Sequence, residues 1–159
     1  MDRFFLISDL MVDAYQKDDL FVVNQLANEY LTLATDWNDS WNYGNALHQA
    51  NLYLGLIAMN TREIDKAKDY LIRSGKVPSS PQLKTFGPNM LLAKALLEQG
   101  ESAIVLDYLE RCKSFWGKVF RLGKIRKWKN AIKAGEIPDF GANLLYHALK
   151  SGEAIGKKK

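Results

Sequence analysis

The chain has 159 residues, 47% of them hydrophobic and 25% charged, which excludes a disordered or fibrous protein and favours one folded domain. Its one cysteine, Cys112, excludes an intramolecular disulfide, so we expect a cytoplasmic protein. The net charge of +4 is unevenly distributed, because residues 113–134 hold eight Lys or Arg and no Asp or Glu, and three more lysines follow at 157–159. Without these eleven cations the remainder stands at −7, so an acidic body is joined to a basic segment.

The spacing of the apolar residues predicts an all-α fold with seven or eight helices and no strand. In the first half, the turn at 17–19 supplies an N-cap candidate for the second helix, and the polar linker 36–40 precedes a long third helix. Thr61 is expected to cap the fourth helix. The helices predicted in this half cover 4–15, 20–34, 41–59 and 63–74.

The second half begins with the longest predicted loop, 75–87, whose Gly and Pro residues separate two helices. Pro88 suits the first turn of the fifth helix. The basic segment is expected to be helical but interrupted, because Gly117 and Gly123 weaken it. The other predicted elements are helices at 88–99 and 101–113, a turn at 135–141, a short helix at 142–150 and a flexible tail at 151–159.

Two stretches of the sequence match each other in register. In the first, Gly55 is followed after 12, 16 and 19 positions by Ala67, Leu71 and Ser74, and in the second Ala93 is followed at the same intervals by Val105, Leu109 and Cys112. A small residue, a turn and then apolar residues at helical spacing predict two closely packed antiparallel hairpins. A third copy over 4–37 is weaker, because only one of its small residues matches.

The first of these stretches resembles a tetratricopeptide repeat, on the evidence of Leu54-Gly55, Ala67, Leu71 and Pro78. A longer series also resembles small bacterial tetratricopeptide-like proteins, most of them without an assigned function. Its members are Trp41 to Ala46, Ser74 to Lys76, Ser80 to Leu83, Phe86 to Met90, Leu92 to Lys94, Glu98 to Glu101, Phe115-Trp116 and Ile137 to Phe140. The resemblance implies a bacterial, cytoplasmic helical-repeat protein with no catalytic residues to carry over.

The resemblance also implies how the chain is organised. We expect a single superhelical domain over 1–150 whose repeat units cover 45–79 and 84–116, with a degenerate unit at 4–37. Residues 113–134, called the basic cap below, would close its end, and 151–159 would form the tail.

In this register a concave groove would accept a peptide or a helix from a protein partner. The residues expected to line it are Asn45, His48, Gln49, Leu52, Leu56, Met90 and Lys94. The chain would then be a non-enzymatic interaction module or adaptor. The alternative for His48, with Asn45 and Asn51 nearby, is a structural network of hydrogen bonds between helices.

Nothing in the sequence favours catalysis. The loop 75–87 lacks the pattern of a phosphate-binding loop, no Ser/His/Asp arrangement stands out, and no metal-ligand cluster is evident. Cys112 is expected to be a buried packing residue, since no positioned base accompanies it. We therefore expect no enzyme activity, no cofactor and no metal. The longest apolar run, Leu52 to Met59, is too short to span a membrane, so no membrane insertion is expected.

The basic cap interleaves cations with the aromatic residues Phe115, Trp116, Phe120 and Trp128. Its predicted basic patch consists of Lys118, Arg121, Lys124, Arg126, Lys127, Lys129 and Lys133. One interpretation is a capping helix with buried aromatics and solvated lysines. A second is docking on an acidic protein or on the acidic body of another copy, which would give a homodimer. A third is binding to nucleic acid or a membrane surface, and nucleic acid is the main alternative function.

Overall fold

A computed structural model describes residues 2–147, with side chains as far as residue 144, and this part of the chain is all-α, as predicted. Two short 3-10 helices, Thr35–Trp37 and Gly141–His147, accompany nine α-helices within it. The α-helices are α1 Arg3–Gln16, α2 Leu20–Ala34, α3 Tyr43–Asn60, α4 Ile64–Gly75, α5 Pro81–Phe86, α6 Leu91–Glu98, α7 Ser102–Cys112, α8 Lys118–Arg121 and α9 Lys124–Lys133. The end of the predicted last helix and the predicted tail at 151–159 lie outside the described residues.

The starts of α2 and α4 show how local sequence sets helix boundaries. The side chain of Asp19 accepts a hydrogen bond from the backbone N–H of Val22, so the predicted turn does supply the N-cap of α2. The prediction for Thr61 is wrong, because the N-cap position of α4 is Glu63. The Thr61 hydroxyl instead lies within hydrogen-bond distance of the Ala58 carbonyl at 3.2 Å and the Glu63 carboxylate at 2.7 Å.

The segment predicted as one long loop contains the helix α5. Its start is a local motif: the Ser80 hydroxyl accepts a hydrogen bond from the Leu83 N–H, and Pro81 occupies the first turn. The prediction that Pro88 begins the next helix is wrong, because α6 begins at Leu91. Asn89 explains the delay, since its side-chain oxygen accepts a hydrogen bond from the Leu91 N–H in a local turn.

The core consists of two apolar clusters that share α3. One is built from α1, α2 and α3, and the other extends from α3 to α9. Leu47, Leu56 and Tyr70 pack against both clusters and join them. Gly55 allows the close approach of α3 and α6, because a Cβ there would lie 2.2 Å from Leu92 Cδ2. The repeated small residue therefore has the packing role that its spacing predicts.

The basic cap seals the second cluster. The apolar stripe of α9, formed by Ile125, Trp128 and Ile132, is buried within it. The Trp128 ring lies 5.0 Å from that of Phe140 and 5.6 Å from that of Trp116, measured between centroids. Breaks at Gly117 and Gly123 separate α8 from its neighbours, as predicted. A capping role with buried aromatics is thus what the fold gives this segment.

Candidate functional site

The predicted groove is largely internal. Asn45, His48, Leu52 and Met90 are buried, with at most 5% of each exposed, so the expectation that they face a partner is wrong for these four residues. The other three predicted groove residues, Gln49, Leu56 and Lys94, are half-buried. The structure therefore leaves only a discontinuous remnant of the groove accessible.

Contacts from the two ends of the described chain reach Met90 and Gln49 in the predicted groove. The buried Asn143, in the C-terminal 3-10 helix, donates from Nδ2 to the carbonyls of Phe86 and Pro88, both at 2.9 Å. The Asn143 carbonyl accepts a hydrogen bond from the Met90 N–H at 2.9 Å. At the other end, the Ser8 hydroxyl on α1 donates to Gln49 Oε1 at 2.7 Å. These polar groups in and next to the predicted groove thus have hydrogen-bond partners within the chain.

His48 connects three elements and has no free ring nitrogen. Its Nδ1 lies 2.8 Å from the Ser74 carbonyl at the end of α4, and its Nε2 accepts a hydrogen bond from the Asn89 N–H at 3.0 Å. The pair of bonds requires the neutral ring with its proton on Nδ1. Burial is the main cause that lowers the pKa of His48 from 6.5 to about 4, and the bond to Ser74 opposes it. His48 is therefore a neutral structural link at neutral pH.

The asparagines near His48 make other bonds. Asn45 donates to the side-chain oxygen of Asn42 at 3.2 Å, and Asn42 donates to the Tyr30 hydroxyl at 2.9 Å. Asn51 donates to the Leu47 carbonyl in its own helix. The candidate cluster of His48, Asn45 and Asn51 is thus divided among separate structural bonds, and it presents no common ligand-binding face.

Features that could support catalysis are also accounted for by packing. Cys112 is fully buried in the second cluster, and burial raises the pKa of its thiol, which disfavours the reactive thiolate. Among residues 2–147 no three His, Cys, Asp or Glu side chains come together as a metal site. In the same range, every helix is too short or too polar to cross a membrane.

A pocket of about 330 Å³ lies between the end of α7, the end of α8 and one face of α9. It is lined by Lys113, Arg121, Gly123, Ile125, Arg126, Lys129, Asn130 and Lys133. Five of these eight residues are cationic, and four belong to the predicted basic patch. We call this concave site the cation-lined pocket.

Within the pocket region, one carboxylate pairs with two of the cations. Glu110 Oε1 accepts hydrogen bonds from Lys129 and, at 2.9 Å, from Lys113. These bonds, that of Lys129 foremost, lower the pKa of Glu110 to about 2. Arg126 and Lys133 have no carboxylate within ion-pair distance in the described part of the chain. The pocket thus keeps a surplus of positive charge.

Sequence reasoning identified the basic segment but missed Glu110 and Asn130. One signal was present: Arg126, Lys129, Asn130 and Lys133 follow the spacing of a single helix face. Lys113 and Arg121 join that face only through the packing of α7 and α8 against α9. The remaining patch residues, Lys118, Lys124 and Lys127, are exposed outside the pocket.

The aromatic residues of the basic cap divide into buried and exposed members. Phe115, Trp116 and Trp128 are at most 4% exposed, so they cannot stack on the bases of a nucleic acid in this structure. Phe120 is 43% exposed and lies on α8 beside Val119 and Leu122, which are 72% and 77% exposed. The accessible surface of the cap is therefore cationic and aliphatic, with one exposed aromatic ring.

Comparison with known proteins assigns neither the fold family nor the site, since no family model matches the chain and no curated protein or solved structure matches it significantly.

Proposed function

We propose that this chain is a non-enzymatic protein-interaction module on a tetratricopeptide-like scaffold, and that it docks an acidic, partly apolar protein segment on α8 and the adjoining face of α9. The observation that carries the proposal is the exposure of Val119 and Phe120 on α8, and of Leu122 directly after it, within a cationic surface. This surface has an apolar component and a cationic component. An acidic segment with apolar anchor residues would complement both.

The apolar component is unusual in its backbone as well as its exposure. Leu122 has a φ of 38°, in the left-handed region that non-glycine residues adopt rarely. Since most of Leu122 is exposed, its own burial does not offset that strain. A partner that covers Leu122 would supply the missing apolar contact, and strained, exposed positions of this kind are typical of binding surfaces.

The electrostatic component favours an acidic partner. Lys118, Lys124 and Lys127 are exposed around the apolar residues and have no ion-pair partner in the described range. Lys124 lies over the Trp116 ring, 5.8 Å from its centroid, which leaves its charge at the surface. Complementary charge steers association and rejects basic partners, so it adds specificity to the apolar contact.

Affinity capture from the cells that express the protein, using three paired variants, tests this proposal. Val119→Ser with Leu122→Ser removes the apolar component, and Lys118→Glu with Lys124→Glu reverses the charge. Lys66→Glu with Lys76→Glu makes the same charge change on and next to α4 and serves as the control. We expect a partner that the wild type and the control retain and that both cap variants lose. A partner recovered equally by all four proteins would overturn the proposal.

Two further arms of the experiment separate the alternatives. Leu56→Ser with Lys94→Glu alters the remnant of the predicted groove, so selective loss of the partner there would return the function to the groove. Binding to mixed nucleic acid at low salt, weakening steeply as salt is added, would favour the nucleic-acid alternative.

A third arm addresses self-association. Residues 2–39 hold eight Asp or Glu and two Lys or Arg, so a second copy offers an acidic surface to the cap. Light scattering at high protein concentration measures this directly. A dimer that the cap variants abolish would identify the acidic partner as another copy of this chain.

A further inference from the structure

We propose that the cation-lined pocket is a binding site for a ligand that carries two adjacent phosphate groups. The argument rests on the charge, shape and construction of the pocket, and it does not depend on the macromolecular partner proposed above. The pocket would bind a small anion, whereas the proposed docking surface is centred on the exposed apolar residues Val119, Phe120 and Leu122.

The charge of the lining calls for a multivalent anion. Five cationic side chains line the pocket, and Glu110 is the only carboxylate paired with any of them among the described residues. The balance of about four positive charges exceeds what one carboxylate ligand would neutralise. Two phosphate groups carry about three to four negative charges at neutral pH, which matches this balance.

The size of the pocket fits a discrete ligand. Its volume of about 330 Å³ is at the lower end of the range of small-molecule sites, which runs from about 300 to 1,000 Å³. Ile125 is the only large apolar residue of the lining, and it is 3% exposed because it belongs to the core. A compact, strongly hydrophilic ligand is therefore favoured over an apolar one.

The donors of the pocket are placed by regular structure. Arg126, Lys129, Asn130 and Lys133 share one face of α9, next to the stripe that anchors this helix in the core. Arg121 donates from one terminal nitrogen to the Lys113 carbonyl at 3.3 Å, which fixes its guanidinium while other N–H donors remain. Two guanidinium groups suit phosphate oxygens, because a planar fork can bind two of them at once.

Glu110 acts as an internal competitor for the same cations. Its Oε1 holds Lys113 and Lys129, and the pocket is lined by both of these lysines. An incoming phosphate would have to share or displace this carboxylate. Two kinds of variant are therefore expected to change the affinity in opposite directions. Removal of a pocket cation must weaken phosphate binding, while removal of Glu110 must strengthen it.

The experiment is calorimetric titration of the full chain with inorganic pyrophosphate at constant ionic strength. We expect Arg126→Gln and Lys133→Gln each to weaken binding roughly tenfold, the usual effect of losing one charge-assisted hydrogen bond. The matched control is Lys127→Gln, which makes the same charge change next to Arg126 but outside the pocket, and we expect a change of less than about twofold. Equal weakening by Arg126→Gln and Lys127→Gln would overturn the proposal, because it would show diffuse attraction to a basic surface.

Two further measurements complete the test. Glu110→Gln is expected to strengthen pyrophosphate binding at least threefold, since Lys113 and Lys129 lose their internal partner. No strengthening, or no heat of binding with any variant, would overturn the assignment. A nucleoside diphosphate titrated in parallel identifies the source of the phosphates: equal affinity indicates that the diphosphate alone is recognised, and tighter binding indicates a nucleotide ligand.

Discussion

At the residue scale, His48 shows how burial converts a candidate ligand group into a structural one. Both ring nitrogens are engaged by backbone groups of two other segments, at Ser74 and Asn89. Removal of the ring from water disfavours the charged form, and no carboxylate lies among its hydrogen-bond partners. The stability of the fold is thereby linked to the protonation of one side chain.

This linkage predicts that the free energy of unfolding falls as the pH falls from about 6.5 towards 4. In that interval the unfolded His48 binds a proton that the folded protein excludes, so acid favours unfolding, by about 3 kcal/mol over the whole interval. Urea unfolding at several pH values between 5 and 7.5 measures it. The stability that Glu110 gains from its lowered pKa is lost mainly below pH 4.5, so it contributes little to the change measured between pH 5 and 7.5.

The control for this measurement is His48→Gln, which keeps a neutral polar side chain at the same position. We expect the variant to be less stable at pH 7.5 but to lose most of the dependence on pH. An unchanged slope in His48→Gln would show that another group causes the acid sensitivity.

At the element scale, the 3-10 helix Gly141–His147 is joined to the chain before α6 through one side chain. Asn143 is 2% exposed, and its amide donates to the carbonyls of Phe86, at the end of α5, and of Pro88. One asparagine at the start of a short helix shows no periodicity, so nothing in the sequence singled it out. Its importance follows from tertiary contact with residues more than fifty positions away.

Asn143→Ala is therefore expected to lower the free energy of unfolding by about 2 kcal/mol, because it leaves two backbone carbonyls without their donor. We also expect faster hydrogen exchange of the Met90 amide, which donates to the Asn143 carbonyl. Asn28→Ala is the matched control, since Asn28 is exposed and its amide bonds only within α2. Unchanged protection of the Met90 amide would contradict this account of the groove.

Other elements were predictable to different degrees. The helices α1, α2 and α4 follow from apolar spacing, because each buries a stripe along one face. The helix α3 is buried on most of its surface, since it lies between the two apolar clusters. The six-residue helix α5 was missed, since a helix of this length has too few turns to show a stripe. Its start at Ser80-Pro81 is a recognisable capping signal. The signal was missed because Gly and Pro residues in this segment were interpreted only as loop residues.

At the scale of the whole molecule, the basic cap is both a structural closure and the most cationic surface. The helix α9 covers the second apolar cluster with Ile125, Trp128 and Ile132. The adjoining face of the same helix carries four residues of the pocket, three of them cationic. Anion binding and stability therefore depend on neighbouring stripes of α9. Variants of one stripe can change one property and leave the other unchanged.

Trp128→Ala is expected to lower the free energy of unfolding by about 3–5 kcal/mol, since it removes a large buried side chain between Trp116 and Phe140. Phe120→Ala alters an exposed aromatic residue of the same cap, and we expect a change of less than about 0.5 kcal/mol. Chemical denaturation of both variants provides the comparison. A stability loss in Trp128→Ala no larger than that in Phe120→Ala would contradict the closure of the core by α9.

The sequence by itself determined the all-α class, the close helix packing at the small residue Gly55, and the separation of an acidic body from a basic end. These properties depend on composition or on local spacing, so they can be predicted from the linear sequence. Only the tertiary structure decided which surfaces are accessible: it buried His48 and Met90 among distant segments, and it gathered cations from the ends of α7 and α8 and from α9 around one pocket. Exposure and convergence depend on contacts between distant segments, and helical spacing does not specify those contacts.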